Sequence, residues 1–165
     1  MPAAKRSKAV DDLIQGALRA ARFDPSDYLE DKRVLVVDDD ATGLEWLAAT
    51  LRGMGGDDLE ISTARSFNAA MDICLSHDGG FDLVLLNNRL GGGHTGVELL
   101  GHLQRAGLPK TALAVLYAKV VTRSLREQAR AAGFCETLST DDVNSGSLYA
   151  ILVHHCEVPP HSTLD

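Results

Sequence analysis

The spacing of apolar residues changes character along the chain, and each change marks an element. Val10, Leu13, Ile14, Ala17, Leu18 and Ala21 fall at i, i+3, i+4, i+7, i+8 and i+11, the single stripe of an amphipathic helix. Asp24-Pro25-Ser26 ends that pattern, because a residue before proline is pushed out of the helical region. From Arg33 onward strand and helix patterns alternate. Arg33–Asp38 (RVLVVD) is a continuous apolar run ending in acid, the mark of a strand covered on both faces. Thr42–Gly53 carries Leu44, Leu47 and Leu51 at helical spacing, continued by Met54. Leu59–Ala64 alternates as a short strand, and Ser66 is suited to cap a helix through Ala70, Ile73 and Cys74.

Phe81–Leu86 (FDLVLL) is a second buried strand, followed by the loop Gly91-Gly92-Gly93 and a helix through Val97, Leu100 and Leu103. Leu113–Tyr117 is a further apolar strand, with a helix over Val121, Leu125, Ala129 and Ala132 that Gly133 ends. Phe134–Leu138 is a short strand, and Val143–Cys156 is the last helix. Five strand–helix units predict an α/β fold, a parallel sheet wound on both sides. The boundaries that follow are an N-terminal amphipathic helix and linker over 1–32, the α/β domain over 33–156, and a short tail over 157–165.

Charge and length then narrow the function. A chain of 165 residues suffices for one such core. A net charge of −7 argues against sequence-independent DNA binding, which needs a basic face. No apolar run approaches the roughly 20 residues of a membrane span, and MPAAKRSKAV lacks the apolar segment of a secretory signal. Cys74, Cys135 and Cys156 are scattered and odd in number, as expected of reduced thiols in a cytoplasmic protein. The expected partners therefore exclude nucleic acid and membrane. The tail VPPHSTLD is too short for an effector domain, so a stand-alone module is expected.

Ligands of an open α/β sheet bind at the carboxyl ends of its strands. The first strand ends in Asp38-Asp39-Asp40, and clustered carboxylates either hold a hard cation or sit in water. Other candidates are weaker. Gly91-Gly92-Gly93 lacks the pattern of a nucleotide loop and reads as a turn. His154-His155-Cys156 with His161 suggests metal, but adjacent residues on a helix face different ways. Ser7, Ser26 and Ser124 have no nucleophile motif around them. Nothing here predicts an enzyme.

VLVVDDD, FDLVLLNNRLGGGHTGVELL, LAVLYAK and AGFCETLSTDD, in that order and spacing, together resemble the receiver domain of bacterial two-component response regulators. The resemblance covers roughly residues 33 to 156 and implies a flavodoxin-like (βα)5 fold with strand order 2-1-3-4-5, here with an extra N-terminal helix. It implies that Asp38 and Asp39 occupy the family's Mg2+-binding acidic pocket. The family's phosphate-accepting aspartate ends the third strand, where this chain has Asn87. Its switch threonine or serine corresponds to Tyr117, its switch aromatic to Thr137, and its lysine to Thr140.

Each departure removes a chemical function. An amide is a poor nucleophile beside a carboxylate, and it also withdraws a negative metal ligand. A threonine supplies no cation to a phosphate. The resemblance thus implies no required cofactor and at most a weak Mg2+ site from Asp38, Asp39 and Asn87. Tyr117 and Thr137 have exchanged bulk, which leaves two readings open: Tyr117 fills the pocket and fixes one conformation, or the site has drifted out of use.

Surfaces complete the expectation. The last helix, with Leu148, Tyr149, Ile151, Leu152 and Val153, is apolar over more than one stripe. Leu13, Ile14, Leu18, Tyr149, Leu152 and Val153 are therefore candidate contacts for a protein partner or a second copy. Arg123, Arg126 and Arg130 read most simply as a solvated helix face and secondly as a docking rim for an acidic partner. The function expected is that of a pseudo-receiver binding a histidine kinase or another regulator, with homodimerisation open. Its rivals are an active receiver with an engineered Asp-to-Asn change at Asn87, a small-ligand sensor in the vacated crevice, and a metal-dependent hydrolase.

Overall fold

The sheet grows outward from apolar strands in its interior. The computed structural model describes residues 8–10, 12–13, 29–56 and 58–155. β1 (Arg33–Val37) has Val34, Leu35, Val36 and Val37 all buried, because it is flanked by strands on both sides and by helices on both faces. β2 (Glu60–Ala64) pairs with one edge of β1 and β3 (Leu83–Asn87) with the other. β4 (Leu113–Ala118) and β5 (Glu136–Ser139) extend the sheet beyond β3. All pairings are parallel, in the order β2-β1-β3-β4-β5. The predicted flavodoxin-like fold is the one observed.

Between the strands lie α1 (Ala41–Gly55), α2 (Phe67–Ser76), α3 (Gly96–Arg105), α4 (Arg123–Ala132) and α5 (Ser145–His155). The first four start where a short polar side chain captures backbone N–H groups that have no helical partner: Asp40, Ser66, Thr95 and Thr122. α5 begins at Ser145, two residues later than the apolar pattern suggests. Asn144 and Ser147 bond reciprocally there, Ser147 N–H to Asn144 Oδ1 at 2.9 Å and Asn144 N–H to Ser147 Oγ at 3.0 Å, and Val143 is buried ahead of the helix.

Period-two alternation divides the core. Leu35, Val37, Val84 and Leu86 face Ala70, Cys74, Leu99, Leu100, Leu103 and Ala129 of α2, α3 and α4. Val34, Val36, Leu85, Val115 and Tyr117 share the other layer with Leu44, Leu47 and Leu51 of α1 and Leu148, Ile151 and Leu152 of α5. Each large aliphatic side chain in these layers contributes roughly 1.5–3 kcal/mol. Leu29 is fully buried in the second layer.

One surface expectation changes. Leu152 is only 2% exposed and belongs to the core, so it is no contact residue for a partner; it lies on the same stripe as Leu148 and Ile151. Tyr149 and Val153 are half-buried at the edge of that stripe. Leu13 is 74% exposed. Ile14 and Leu18, and Ala17 between them, lie outside the described residues, as do Cys156 and His161.

Candidate functional site

The strand ends bring together three of the residues singled out from the sequence. Asp38 follows β1, Asn87 ends β3, and Tyr117 lies directly opposite Asn87 in the register of β4. Because β1, β3 and β4 are neighbours in the sheet, their side chains converge on one point, the Asp38 carboxylate. The Tyr117 hydroxyl donates to Asp38 Oδ2 at 2.9 Å, and Asn87 Nδ2 donates to Asp38 Oδ1 at 3.1 Å. The backbone N–H of Asp40 donates to the same Oδ1 at 2.9 Å. Asn87 Oδ1 in turn accepts from the Arg89 N–H at 2.9 Å. A flipped amide would set oxygen against carboxylate and NH2 against N–H, so the two bonds fix its orientation.

This carboxylate is deeply enclosed: Asp38 is 4% exposed and Tyr117 3%. Burial raises the Asp38 carboxyl above its ordinary value, the donors from Asp40, Tyr117 and Asn87 pull it back, and the charge of Asp39 pushes it up again. Tyr117 is held far above the ordinary phenol range, first by burial and then by the Asp38 charge and hydrogen bond. Tyr117 therefore remains an O–H donor at any working pH.

The other acidic residues serve differently. Asp40 caps α1, accepting from the Thr42 and Gly43 N–H groups at 3.3 Å each. The preference for Asp just ahead of a helix could have shown this in the sequence. Asp39 is half-exposed, and its carbonyl accepts a long 3.5 Å bond from Arg65.

Thr137 and Thr140 stand one strand further out and neither bonds to Asp38. Thr137 is buried on β5 and its carbonyl accepts from Arg126 Nη1 at 3.2 Å. Thr140 opens an exposed 3-10 turn after β5. Arg123 pairs with Glu127 at 3.4 Å in full solvent. Arg126→Ala should lower stability by less than about 1 kcal/mol, because the arm of the arginine is exposed. Urea denaturation with an unchanged slope would check it; a larger loss would mean that α4 depends on this bond to hold β5.

The acidic corner does not fit the Mg2+ ion that the resemblance implies. A hard cation needs convergent oxygen lone pairs. Here three donors occupy the Asp38 carboxylate, and Asn87 turns its NH2 group toward it. Among the described residues no group of three or more His, Cys, Asp and Glu side chains converges as a metal site. The His155 ring lies 4.0 Å from Glu136 and edge-on to His154.

The glycine loop is a closed turn. Gly91, Gly92 and Gly93 all have positive φ, a run that side chains with a Cβ rarely adopt. A bridge between Arg89 and Thr95 closes its base. Gly96 then lets α3 approach β3, since a Cβ there would lie 2.7 Å from the Asn87 carbonyl oxygen. Beside the acidic corner runs an open cleft of about 420 Å³, lined by Asp39, Arg65, Phe67, Leu90, Gly92 and His94 among others. Asp38, Asn87 and Tyr117 do not line it. Among the described residues no helix is long and apolar enough to cross a membrane.

The same architecture is present in solved receiver domains. The chain is similar to the CheY-like response regulator receiver domain protein of Methanospirillum hungatei, at 22% identity and a TM-score of 0.60, covering 71% of this chain and 86% of that one. A Burkholderia pseudomallei response regulator with a phosphorylated aspartic acid, calcium ion and citrate matches at 23% identity and 0.64, covering 81% and 74%. A two-component response regulator of Clostridium difficile matches at 19% and 0.64, covering 76% and 95%. No family model and no curated protein matches the chain.

Proposed function

We propose that this chain is a cytoplasmic pseudo-receiver of two-component signalling: it modulates a histidine kinase or another regulator by protein contact, without an aspartyl phosphorylation cycle. The observation that carries this reading is Asn87. It stands at the end of β3 with its amide donating to Asp38, where a phosphate acceptor would need an ionised carboxylate. Tyr117 and Thr140 agree with it, one filling the space beside Asp38 and the other offering no positive charge. With no nucleophile, the fold retains its surface as the means of signalling.

Exposed apolar side chains suited to contact remain among the described residues, Trp46 on α1 and Val120 after β4. The test is incubation of the full chain with acetyl phosphate or phosphoramidate and Mg2+, read by intact mass. No added phosphoryl group is expected. A phosphoryl group on any residue of the corner would overturn the reading. Binding of the unphosphorylated chain to a purified kinase or regulator from the same cell, at equal affinity with and without the phosphodonor, is the positive result.

A further inference from the structure

We infer that Tyr117 and Asn87 replace a divalent cation as the partners of Asp38, closing the acidic corner to metal and making the fold around it indifferent to Mg2+. This deepens the function proposed above and rests on it for what the corner would otherwise do.

The Asp38 carboxylate needs compensation, since a buried charge without partners is strongly disfavoured. The chain supplies it internally. Oδ1 receives the Asp40 N–H and the Asn87 amide, and Oδ2 receives the Tyr117 hydroxyl. The start of α1 runs close beside Oδ2: a Cβ added at Gly43 would lie 3.2 Å from it.

None of these donors is free to leave. The Tyr117 ring is packed in the core layer that includes Val36, Val115, Val143 and Leu148, and its carbonyl accepts from the Asn88 N–H at 2.8 Å. Asn87 is pinned from its other end by Arg89. A cation approaching Asp38 would have to displace a buried hydrogen bond to a charged group, a penalty of roughly ten- to a hundredfold in affinity. It would then meet an NH2 group where it needs an oxygen. Tyr117 thus acts as a latch between the acidic corner and the layer that seats α5, and no ion is required to hold it shut.

The experiment uses the full chain with MgCl2 titrated against matched NaCl, followed by calorimetry and thermal melting. Wild type should give no binding heat and no change in melting temperature. Tyr117→Phe, which removes only the hydroxyl, should melt about 3 °C lower. Asn87→Asp with Tyr117→Thr should melt lower without the ion and recover as Mg2+ is added.

A rise in the wild-type melting temperature with Mg2+, reversed by EDTA, would overturn the inference. So would Tyr117→Phe melting at the wild-type temperature, or a folded double variant that ignores the ion. A wild type that binds Mg2+ and gains no phosphoryl group overturns this inference alone; phosphoryl uptake by wild type overturns the function proposed above.

Discussion

Asn87→Asp alone will leave the chain a poor phosphoryl acceptor, while the triple change with Tyr117→Thr and Thr140→Lys will react faster by at least two orders of magnitude. The single change restores a nucleophile but sets a second carboxylate where an amide now lies 3.1 Å from Asp38 Oδ1. Two carboxylates at that distance raise each other's pKa, so the new one is disfavoured as the ionised nucleophile it must be. The Tyr117 hydroxyl would still occupy Asp38 Oδ2 and exclude a metal. Thr140, an exposed threonine after β5, would supply no cation to the transferred phosphate. Loss of one such electrostatic contact is worth on the order of 3 kcal/mol, about a hundredfold in rate. Groups that act as a unit combine far from additively, so the gain should exceed the product of the single changes. The assay is acetyl phosphate with Mg2+ and a time course of intact mass. Rapid reaction of Asn87→Asp by itself would mean that the lesion is local to one residue, and would favour an active receiver altered at that position.

Asp38→Asn will raise stability at neutral pH, by on the order of 1 kcal/mol or about 3 °C for a domain of this size. An asparagine oxygen can keep the bonds from Asp40 N–H and Asn87. Its NH2 group can donate to the Tyr117 oxygen, whose proton is then free to turn toward the Val37 carbonyl, 3.5 Å away. The network survives and the buried charge is gone. The pH dependence follows from the direction of the shift. Burial raises the Asp38 carboxyl in the folded state above its unfolded value, near about 4. Its contribution to stability is therefore fully present below that unfolded value and is lost as pH rises through the folded value. Wild type and variant should melt together near about pH 4 and separate as pH rises, the gap levelling once Asp38 is ionised in the folded state. Melting curves across this range decide it. A variant that melts lower at neutral pH, by a margin independent of pH, would mean that the ionised carboxylate stabilises the corner.

Much of this was legible along the chain. The apolar run Val34–Val37 could only be a strand covered on both faces, and Leu83–Leu86 repeats the logic, so the doubly wound sheet follows from local pattern. The helix starts were legible at Ser66, because a capping side chain acts within three residues. The position of Asn87 at the end of its strand was legible too, since an element's end is a local property.

What the sequence could not decide is what depends on register between distant strands. Tyr117 and Asp38 are 79 positions apart, and only the pairing of β1 with β3 and of β3 with β4 brings hydroxyl and carboxylate within bonding distance. Bulk at position 117 could be read as filling space, but the direction of its O–H could not. Leu152 shows the same gap from the other side: apolar residues around α5 signal contact without saying with what, and the sheet and α1 already take that stripe. Leu29 precedes the regular pattern yet is fully buried beside Gly55, where a Cβ would lie 3.1 Å from its own. Periodicity is a property of neighbours in sequence and determines elements and their faces. The closing of the acidic corner is a property of neighbours in space, and only tertiary packing decides it.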